Sequence, residues 1–565
     1  MKTIQNFKGP QYQLATDPIS RRAYDANNVE YATSTHQIDH NMLPGLIALP
    51  QDEDDIQKAV KYAKGRGYAV SIMSGGHQYS GACSTYGEGI QLNLKLTFKG
   101  PGDLVILPQL PYPNSNKTLV YASVSQSLGE FNQFLRQHRL FVPHGQCTDV
   151  RLGGHVQTGG YGQLGRSFGL LGDHVWAIRL INHDGKIQKV TKASNAELFY
   201  ALLGGSPGNF GVITHYIIEV HRDADHDFPE MGVRPHGFKG IWLYSETIAK
   251  ILLSEVAAMA DDPEVPRNFD LCVSVFSSSF PVFDIMPELR NNLTETLQRI
   301  AKALGVNGNA AWPACVILYA QWVPMNADDK YTPEVDAWFQ RFRDLDSFTK
   351  YWCLHAVEPI EPMSQMTGKW LFTRAREFDY PYDKRCHLTK STTLVRDKWV
   401  DQVVDRINLV LRPSLSHFNI WENCFLGLQA QCFGGKYSQF YVNRHNGTSY
   451  SWRDSTVCMA LDCFYRGGEV GKGVANDWQA VNDKLMCSEG SSFSKHDRRV
   501  LWASYGDWDM EKTWSFYYED CAKYERIGKQ RHLADPHGTF TPNPFNVKPF
   551  KTQGLLDFGF LSWFR

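Results

Sequence analysis

Two glycine-rich segments of this chain each carry one nucleophilic side chain, and they restrict its fold more than any other feature. The first runs from Ser74 to Gly81 and contains His77; the second runs from Gly145 to His155 and contains Cys147. Glycines let backbone amides approach a phosphate-bearing ligand closely. Imidazole and thiolate are able to form a covalent bond to an electrophilic ring. Together the segments predict a large, flat ligand that is held by the backbone and by two covalent bonds.

Taken singly, each side chain has an ordinary structural explanation. His77 fits a hydrogen-bonded turn, and Cys147 fits a small buried apolar residue. The glycine content from Gly145 to Gly172 still requires a cause, because glycines lose much backbone entropy on folding. A loop wrapped around a flat cofactor supplies that cause, so the two contexts together favour the ligand.

A nucleotide-binding fingerprint also lies in this stretch. Gly160 to Gly165 matches GxGxxG, and Asp184 follows nineteen residues after Gly165. The fingerprint requires a preceding strand and a following helix. Glycines interrupt the sequence on both sides here, and Asp184 belongs to a hairpin turn with Gly185. The context therefore disfavours a Rossmann site.

Composition limits the class of protein. A chain of 565 residues exceeds one ordinary core, so we expect two domains or one domain with a large insertion. The 58 basic and 59 acidic residues nearly cancel, which disfavours nucleic acid and a membrane as partners. Twelve cysteines without CxxC pairs disfavour a metal site and a dense disulfide framework. The first residues lack the apolar run of a secretory signal, so a cytoplasmic location is the default expectation, or secretion if a leader was removed.

Periodicity predicts mixed helices and strands in both halves of the chain. Helical spacing indicates helices, with Gly65 just past the end of the first, over 52–64, 195–202, 289–304 and 398–411. Alternation and β-prone composition indicate strands or strand-rich segments over 68–73, 89–94, 119–124, 175–182, 186–190, 239–256, 269–276 and 314–323. The pattern favours an α+β fold with a boundary near residue 225, where polarity rises.

Several ordered motifs along the chain resemble those of a known family. SGGHxYxG matches Ser74 to Gly81, and GxCxxVxxGGHxxxGGYG matches Gly145 to Gly162. Gly204 to Thr214 resembles GGxGNFGIVT, and two segments within 524–540 resemble NYxRL and DPxNxF. The chain thus resembles the vanillyl-alcohol-oxidase superfamily, also described as PCMH-type FAD-binding proteins, in its berberine-bridge-enzyme-like branch.

The resemblance implies a fold and a division of the chain. It implies a two-subdomain FAD-binding domain and a substrate domain built on an antiparallel sheet covered by helices. Residues 1–225 would form the first part of the FAD domain, 226–499 the substrate domain, and 500–565 a C-terminal segment that completes the FAD domain.

The resemblance also implies which residues bind FAD. His77 would bond the flavin 8α-methyl group and Cys147 the C6 position. The other implied cofactor residues are Ser74, Gly75, Gly76, Gln78, Tyr79, Ser80, Val150, Gly153, Gly154, His155, Gly159, Gly160, Gly162, Gly211, Val212, Ile213 and Ser504. Arg151 stands where the family usually has glycine, which could alter the turn or place a cation near the pyrophosphate.

Two positions concern the chemistry itself. Residues 501–507 fall where relatives carry YxNYxD, and Tyr505 matches the second tyrosine, which lies over the flavin in sugar oxidases; Trp502 and Ser504 replace two others. Asp462 is a carboxylate in an apolar strand and needs a reason to be there. It is either a general base, or the acceptor that deprotonates Tyr505, or a member of a structural ion pair.

The resemblance to sugar oxidases favours an FAD-dependent oxidase that takes a hydride from an alcohol or hemiacetal carbon, with O2 as the second substrate and hydrogen peroxide as product. A tailoring oxidase of secondary metabolism is the first alternative. A flavoprotein that serves as a non-redox cyclase or binding scaffold is the second, because the changes at Trp502 and Ser504 leave room for it.

Overall fold

The computed structural model describes most of the chain. The described residues are 7, 11–14, 42–77, 83–85, 89–108, 117–277, 314–343, 345, 353–372, 381–411, 420, 423–466, 468–503 and 509–551. The predicted helix over 289–304 lies outside them.

The described strands form three sheets. The first is mostly parallel and has the order Gln11–Leu14, Leu46–Leu49, Ile90–Asn93, Val70–Met73. The second is antiparallel and has the order Leu104–Ile106, Thr118–Ser123, Val212–Arg222, Val175–Ile181, Ile187–Thr191, with Leu140–Phe141 paired to Val212–Arg222. The third, the seven-stranded sheet, is antiparallel and has the order Cys353–Val357, His236–Leu243, Cys315–Trp322, Phe269–Phe276, Cys424–Cys432, Val457–Tyr465, Tyr382–Thr389.

Helices lie between and over these sheets. They span Glu53–Arg66, Leu128–Gln137, Leu152–Gln157, Gly165–Phe168, Ala196–Leu202, Glu246–Asp261, Pro333–Arg343, Met363–Lys369, Trp399–Leu411, Gln439–Val442, Gly468–Cys487, Met510–Tyr517 and Cys521–Ala534. The mixture confirms the α+β class. No helix in the described part of the chain combines the length and the apolar character that crossing a bilayer requires.

Local sequence explains where the first helix begins, and the structure corrects the predicted end of that helix. The Asp52 side chain accepts a hydrogen bond from the Asp55 amide, and three acidic residues follow in the first turn. The sequence predicts that Gly65 lies just past the helix. The structure continues the helix to Arg66 and ends it at Gly67, whose φ of 68° is left-handed. A left-handed end position favours glycine, and Gly67 supplies it two residues later than expected.

The β-prone segment predicted over 239–256 is wrong in its second half. The strand His236–Leu243 ends, and Ser245 then caps a helix by accepting a hydrogen bond from the Ile248 amide. Ile248, Leu252 and Val256 recur at helical spacing and are fully buried. Burial of this helical stripe outweighs the strand propensity of its apolar residues.

The two faces of the seven-stranded sheet have different neighbours. One face packs against the helices Glu246–Asp261, Pro333–Arg343, Trp399–Leu411 and Gly468–Cys487 in one apolar core. Part of the other face contributes Tyr382, Phe425 and Phe464 to a core shared with Phe141 and Phe168 from the first half of the chain. This second face therefore lies against the glycine-rich part of the protein.

The end of the described chain packs into the first half. The Val70 amide donates to the Thr539 carbonyl at 2.7 Å, and the Val547 amide donates to the Asn209 side chain at 2.9 Å. Phe540 and Phe545 are buried in the same core as the strands of the first two sheets. The segment over 509–551 thus supports the first two sheets, while the proposed domain boundaries themselves stay a prediction.

Candidate functional site

A cavity of about 310 Å³ lies between the glycine-rich segments and the inner face of the seven-stranded sheet. The predicted cofactor residues that line it are Ser74, Gly75, Gly76, His77, Cys147, Val150, Gly153, Gly154, His155, Gly162, Gly211 and Ile213. Gly159, Gly160 and Val212 are not among the lining residues. Gln78, Tyr79, Ser80 and Ser504 lie outside the described residues. The structure therefore brings His77 and Cys147 to one cavity.

Close backbone packing explains two of the glycines. A Cβ on Gly153 would lie 2.8 Å from the Ser74 Oγ, and a Cβ on Gly162 would lie 1.7 Å from the His144 carbonyl oxygen. Gly76 has a φ of 68°, a left-handed conformation that side chains rarely adopt. We call the wall formed by 74–77, 145–155 and Gly162 the glycine cradle. The shape of the cradle requires residues without a side chain at Gly76, Gly153 and Gly162.

The Cys147 loop is held by a short pairing with a distant segment. The Phe372 amide donates to the Gln146 carbonyl at 2.9 Å, and the Thr148 amide donates to the Phe372 carbonyl at 3.0 Å. Cys147 and Phe372 form an isolated parallel bridge. These bonds fix the backbone on both sides of the thiol and so fix where Cys147 meets the cavity.

His155 accepts a hydrogen bond within the cradle. Its Nε2 accepts from the Gly145 amide at 2.9 Å. Burial of the ring, with His144 nearby, lowers the pKa of His155 to about 3. The imidazole is therefore neutral at ordinary pH, and it shapes the loop that carries Cys147.

Arg151 lines the cavity but has protein partners. Its guanidinium donates to the Ser125 carbonyl and lies 3.7 Å from the Glu130 carboxylate. The side chain is 11% exposed. The substitution that the sequence flagged thus adds a cation to the cradle wall, tied to Ser125 and Glu130.

The inner face of the seven-stranded sheet supplies the opposite wall, which we call the sheet wall. Alternate residues of four strands face the cavity, because successive side chains of a strand point to opposite sides. They are Ser274, Phe276, Tyr382, Lys384, Gly427, Gln429, Gln431, Cys458, Ala460 and Asp462. Two glutamines connect this wall to the cradle: Gln429 donates to the Gln146 side chain at 2.9 Å, and Gln431 donates to the Gly162 carbonyl.

Asp462 forms an ion pair with Lys384 on the sheet wall. The two residues are direct partners on neighbouring antiparallel strands, and the Lys384 Nζ donates to an Asp462 carboxylate oxygen. Their side chains are 15% and 9% exposed. The ammonium also lies 5.2 Å from the centre of the Trp502 ring and 5.7 Å from that of Tyr382. Of the alternatives for Asp462, the ion pair is present, and it lies in the cavity.

Sequence reasoning missed Lys384, Gln429 and Gln146 as cavity residues. The alternation of each strand could have placed Lys384 on one face, but only the strand order places that face beside Asp462. Tyr505, the other predicted catalytic residue, lies outside the described residues. Trp502 is described and lines the cavity.

Two buried donors in the cavity wall have no hydrogen-bond acceptor within the described part of the protein. They are the Nε2 of Gln146 and the Nε1 of Trp502. A buried N–H without an acceptor costs free energy, so both atoms favour a polar ligand in the cavity. With the glycine cradle and two nucleophiles beside it, these donors fit a cofactor that has a phosphate-bearing tail and a polar flat ring.

A group of potential metal ligands lies away from this cavity. His387, Cys487 and Asp497 place one ligand atom each within 4.8 Å of one another. The Arg499 guanidinium binds both carboxylate oxygens of Asp497, and Cys487 Sγ lies 2.7 Å from His387 Nδ1. These existing partners account for the group as a hydrogen-bonded cluster on the far side of the sheet.

Parts of the chain are similar in sequence to known FAD-binding proteins. The sequence model of the FAD binding domain family matches residues 44–191. An FAD-linked oxidoreductase from Dictyostelium discoideum is 28% identical over 232 residues, which are 41% of this chain and 46% of that protein. Berberine bridge enzyme-like 19 from Arabidopsis thaliana is 27% identical over 228 residues, 38% of this chain and 36% of that protein. The matched segments span less than half the length of these curated relatives.

A solved structure shows the fold over nearly the whole chain. Glucooligosaccharide oxidase from Acremonium strictum, described with a 6-S-cysteinyl, 8α-N1-histidyl FAD, superimposes with a TM-score of 0.63 at 17% identity. The superposition covers 96% of this chain and 98% of that one. This superposition confirms the predicted fold class. The sequence matches to an FAD binding domain and to a berberine bridge enzyme-like protein confirm the resemblance stated from the motifs.

Proposed function

We propose that this chain, a berberine-bridge-enzyme-like flavoprotein with an FAD binding domain, is an oxidase that removes a hydride from a hydroxyl-bearing carbon of a carbohydrate. One observation carries the proposal: a single cavity joins the glycine cradle, with His77 and Cys147, to a polar sheet wall that contains Asp462. The cradle suits FAD, and the sheet wall suits a hydroxyl group.

We propose that both His77 and Cys147 bond the cofactor. The two side chains line the same cavity, and hydrogen bonds to Phe372 fix the backbone around the thiol. The same pair of linkages is described for the glucooligosaccharide oxidase of similar fold. Two bonds would fix the orientation of the ring even where one face stays open to a bulky substrate.

FAD held by His77, Cys147 and the glycine cradle would supply the hydride acceptor and would transfer the electrons to O2, with hydrogen peroxide as the product. The protein supplies the groups that orient the substrate and accept its proton. We assign Asp462 as the acceptor of the hydroxyl proton, because its carboxylate lies in the cavity wall. Tyr505 keeps its predicted role over the flavin on the strength of its motif alone.

The polarity of the sheet wall supports a neutral substrate with several hydroxyl groups. Asp462 and Lys384 already neutralise each other, so the wall offers both an acceptor and a donor without a net charge. A carbohydrate presents hydroxyl oxygens that are able to accept from such groups.

Two measurements test the proposal in sequence. Intact mass spectrometry should find one FAD covalently bound per chain. Hydrogen peroxide release and anaerobic bleaching of the flavin are then measured with a panel of mono- and oligosaccharides and a parallel panel of aromatic and polycyclic alcohols. Reduction by sugars is the expected result. Reduction by the second panel alone would instead support a tailoring oxidase, and substrate conversion without bleaching would support a non-redox enzyme.

Variants at the two attachment residues test the cofactor assignment. His77→Ala and Cys147→Ala should each retain FAD on denaturation through the remaining bond, and only the double variant should release it. Cys521→Ser is the control, because this exposed thiol lies away from the cavity. If either single variant releases all of its FAD, the chain has one attachment site and not two.

A further inference from the structure

We propose that Lys384 is a positioning residue that keeps Asp462 ionised and aimed into the cavity, so that Asp462 accepts the substrate's proton. The inference rests on the proposed function and adds a residue that the motifs do not mark. The carboxylate and the ammonium are in direct contact, 78 residues apart in sequence.

The environment of the pair shows that it is not an ordinary surface salt bridge. Exposed pairs are worth little because water solvates both charges. Lys384 and Asp462 are 9% and 15% exposed, and both border the cavity. A buried ammonium is costly unless it is paired. The contact between the two side chains is therefore a condition for keeping either charge at this position.

Neighbouring groups hold the ammonium in place. Trp502 and Tyr382 present their rings to Nζ at 5.2 Å and 5.7 Å, within the range of a cation–π interaction. Lys384 lies directly opposite Asp462, and Gly427 lies opposite Asp462 on its other side. With glycine as that neighbour, no side chain of the Cys424–Cys432 strand stands at this position. The ion pair and the rings thus leave one approach to the carboxylate, from the cavity.

The titratable groups around Asp462 come from several elements. Tyr382, Lys384 and Cys386 belong to the strand Tyr382–Thr389, and Cys458 and Cys463 belong to the strand of Asp462 itself. The facing side of the cavity contributes Cys83, His77, Cys147, Arg151, His155 and Tyr161. The Cys424–Cys432 strand presents glutamine and glycine, and the turn at 501–503 presents Trp502. Among these described groups, Lys384 is the cation in contact with the carboxylate.

The chemical role follows from charge. Burial alone would favour protonated Asp462, and a nearby cation favours the ionised form. In the reaction, the substrate's C–H bond breaks with its electron pair going to FAD, and the O–H bond breaks with its proton going to Asp462, which leaves a carbonyl product. Only ionised Asp462 is able to take that proton. Asp462 returns it to water, and reoxidation by O2 restores the cofactor.

The test compares Lys384→Met, Lys384→Arg and Arg385→Met as FAD-loaded proteins. Arg385 is the matched control: it is the next residue of the same strand, and it pairs with Asp483 and Asp383 on the opposite face of the sheet. Anaerobic flavin reduction is followed against pH. In Lys384→Met the acid limb of the profile of rate against pH should move to higher pH, since the favourable charge is lost. Lys384→Arg and Arg385→Met should keep the wild-type limb.

A second readout does not depend on turnover. The visible absorbance of the oxidised, bound flavin is titrated against pH without substrate, because a charge beside the ring perturbs its spectrum. Ionisation of Asp462 should appear as a change of absorbance with pH that is present in the wild type and absent in Asp462→Asn. This transition should move to higher pH in Lys384→Met and stay in place in Lys384→Arg.

The outcomes separate the inference from the function on which it rests. If Lys384→Met binds FAD and shows an unmoved transition, or loses rate equally at every pH, the positioning role is wrong. If Lys384→Met does not fold, an Arg variant with a wild-type profile supports the role, and an Arg variant with the shifted transition overturns it. If no alcohol reduces the wild type, the proposed function fails, while the absorbance titration still decides on Lys384.

Discussion

The glycine cradle and the sheet wall border the same cavity but are built in different ways. The cradle comes from short segments packed so closely that a Cβ at Gly153 would collide with the Ser74 side chain and a Cβ at Gly162 with the His144 carbonyl oxygen. The sheet wall comes from side chains of four strands spread from residue 274 to 462. The cradle therefore depends on small residues within short segments, and the sheet wall depends on side chains that the fold brings together from different strands. The first property serves binding of a cofactor, and the second serves choice of a substrate.

The largest expected effect comes from a substitution in the sheet wall that leaves the cradle unchanged. Asp462→Asn removes the group that accepts the proton, so anaerobic flavin reduction should slow by about 10²–10⁴-fold, the usual contribution of a general base. The amount of covalently bound FAD, measured by mass spectrometry, should stay at the wild-type level. Asp483→Asn on the other face of the sheet, where Asp483 pairs with Arg385, is the control. Unchanged reduction in Asp462→Asn would remove Asp462 from the chemistry.

A smaller effect is expected from a substitution in the cradle that leaves the sheet wall unchanged. Gly153→Ala places a Cβ 2.8 Å from the Ser74 Oγ, whereas Gly65 in the first helix, away from the cavity, has nothing within 4 Å of its Cβ position. Overpacking of this kind costs about 1–3 kcal/mol. Gly153→Ala should thus unfold at lower denaturant concentration and bind less FAD, and Gly65→Ala should be neutral or slightly more stable. Equal behaviour of the two variants would show that the cradle does not require close packing at Gly153.

A third expected effect is a loss of stability in acid, and it arises from His155 in the glycine cradle. His155 has a pKa of about 3 in the fold, lowered from 6.5 by burial and by His144. The unfolded chain binds this proton as pH falls below about 6.5, and the folded chain does not, so stability is present at neutral pH and lost as pH falls toward 3. One such proton is worth up to about 1.4 kcal/mol per pH unit.

His155→Gln should therefore flatten the fall of the unfolding free energy between pH 6 and pH 4, as measured by urea denaturation at several pH values. The amide oxygen of glutamine is able to accept the bond from Gly145. His445→Gln at an exposed position is the matched control. A slope that stays the same in His155→Gln would mean that His155 is protonated in the folded protein as readily as in the unfolded one.

The two walls differ in how far they could be predicted. The cradle was predictable because glycine requirements are local: Ser74 to His77 and Gly145 to His155 each make a recognisable segment of the chain. The first helix was predictable to within two residues from its cap and its apolar spacing. The segment 246–261 was not, because its apolar residues suit a strand by propensity and a helix by burial, and only packing decides between them.

The sheet wall could not be predicted residue by residue. Asp462 attracted attention because a carboxylate in an apolar strand is unusual, but its partner gives no such signal. Lys384 stands in Tyr382–Thr389, which mixes charged and apolar residues. Its pairing with Asp462 depends on which strand lies next to Val457–Tyr465 and in which register. A shift of one residue would turn Lys384 to the opposite face.

The amino-acid sequence by itself determined the α+β class, the FAD-binding character and the two nucleophiles of the cradle, because these depend on residue types within short segments. Only the tertiary structure decided that His77, Cys147, Asp462 and Lys384 share one cavity, and that Asp462 has a cation beside it. The physical reason is that a buried charge must find its partner through strand order and register, and these are settled by the packing of the whole sheet.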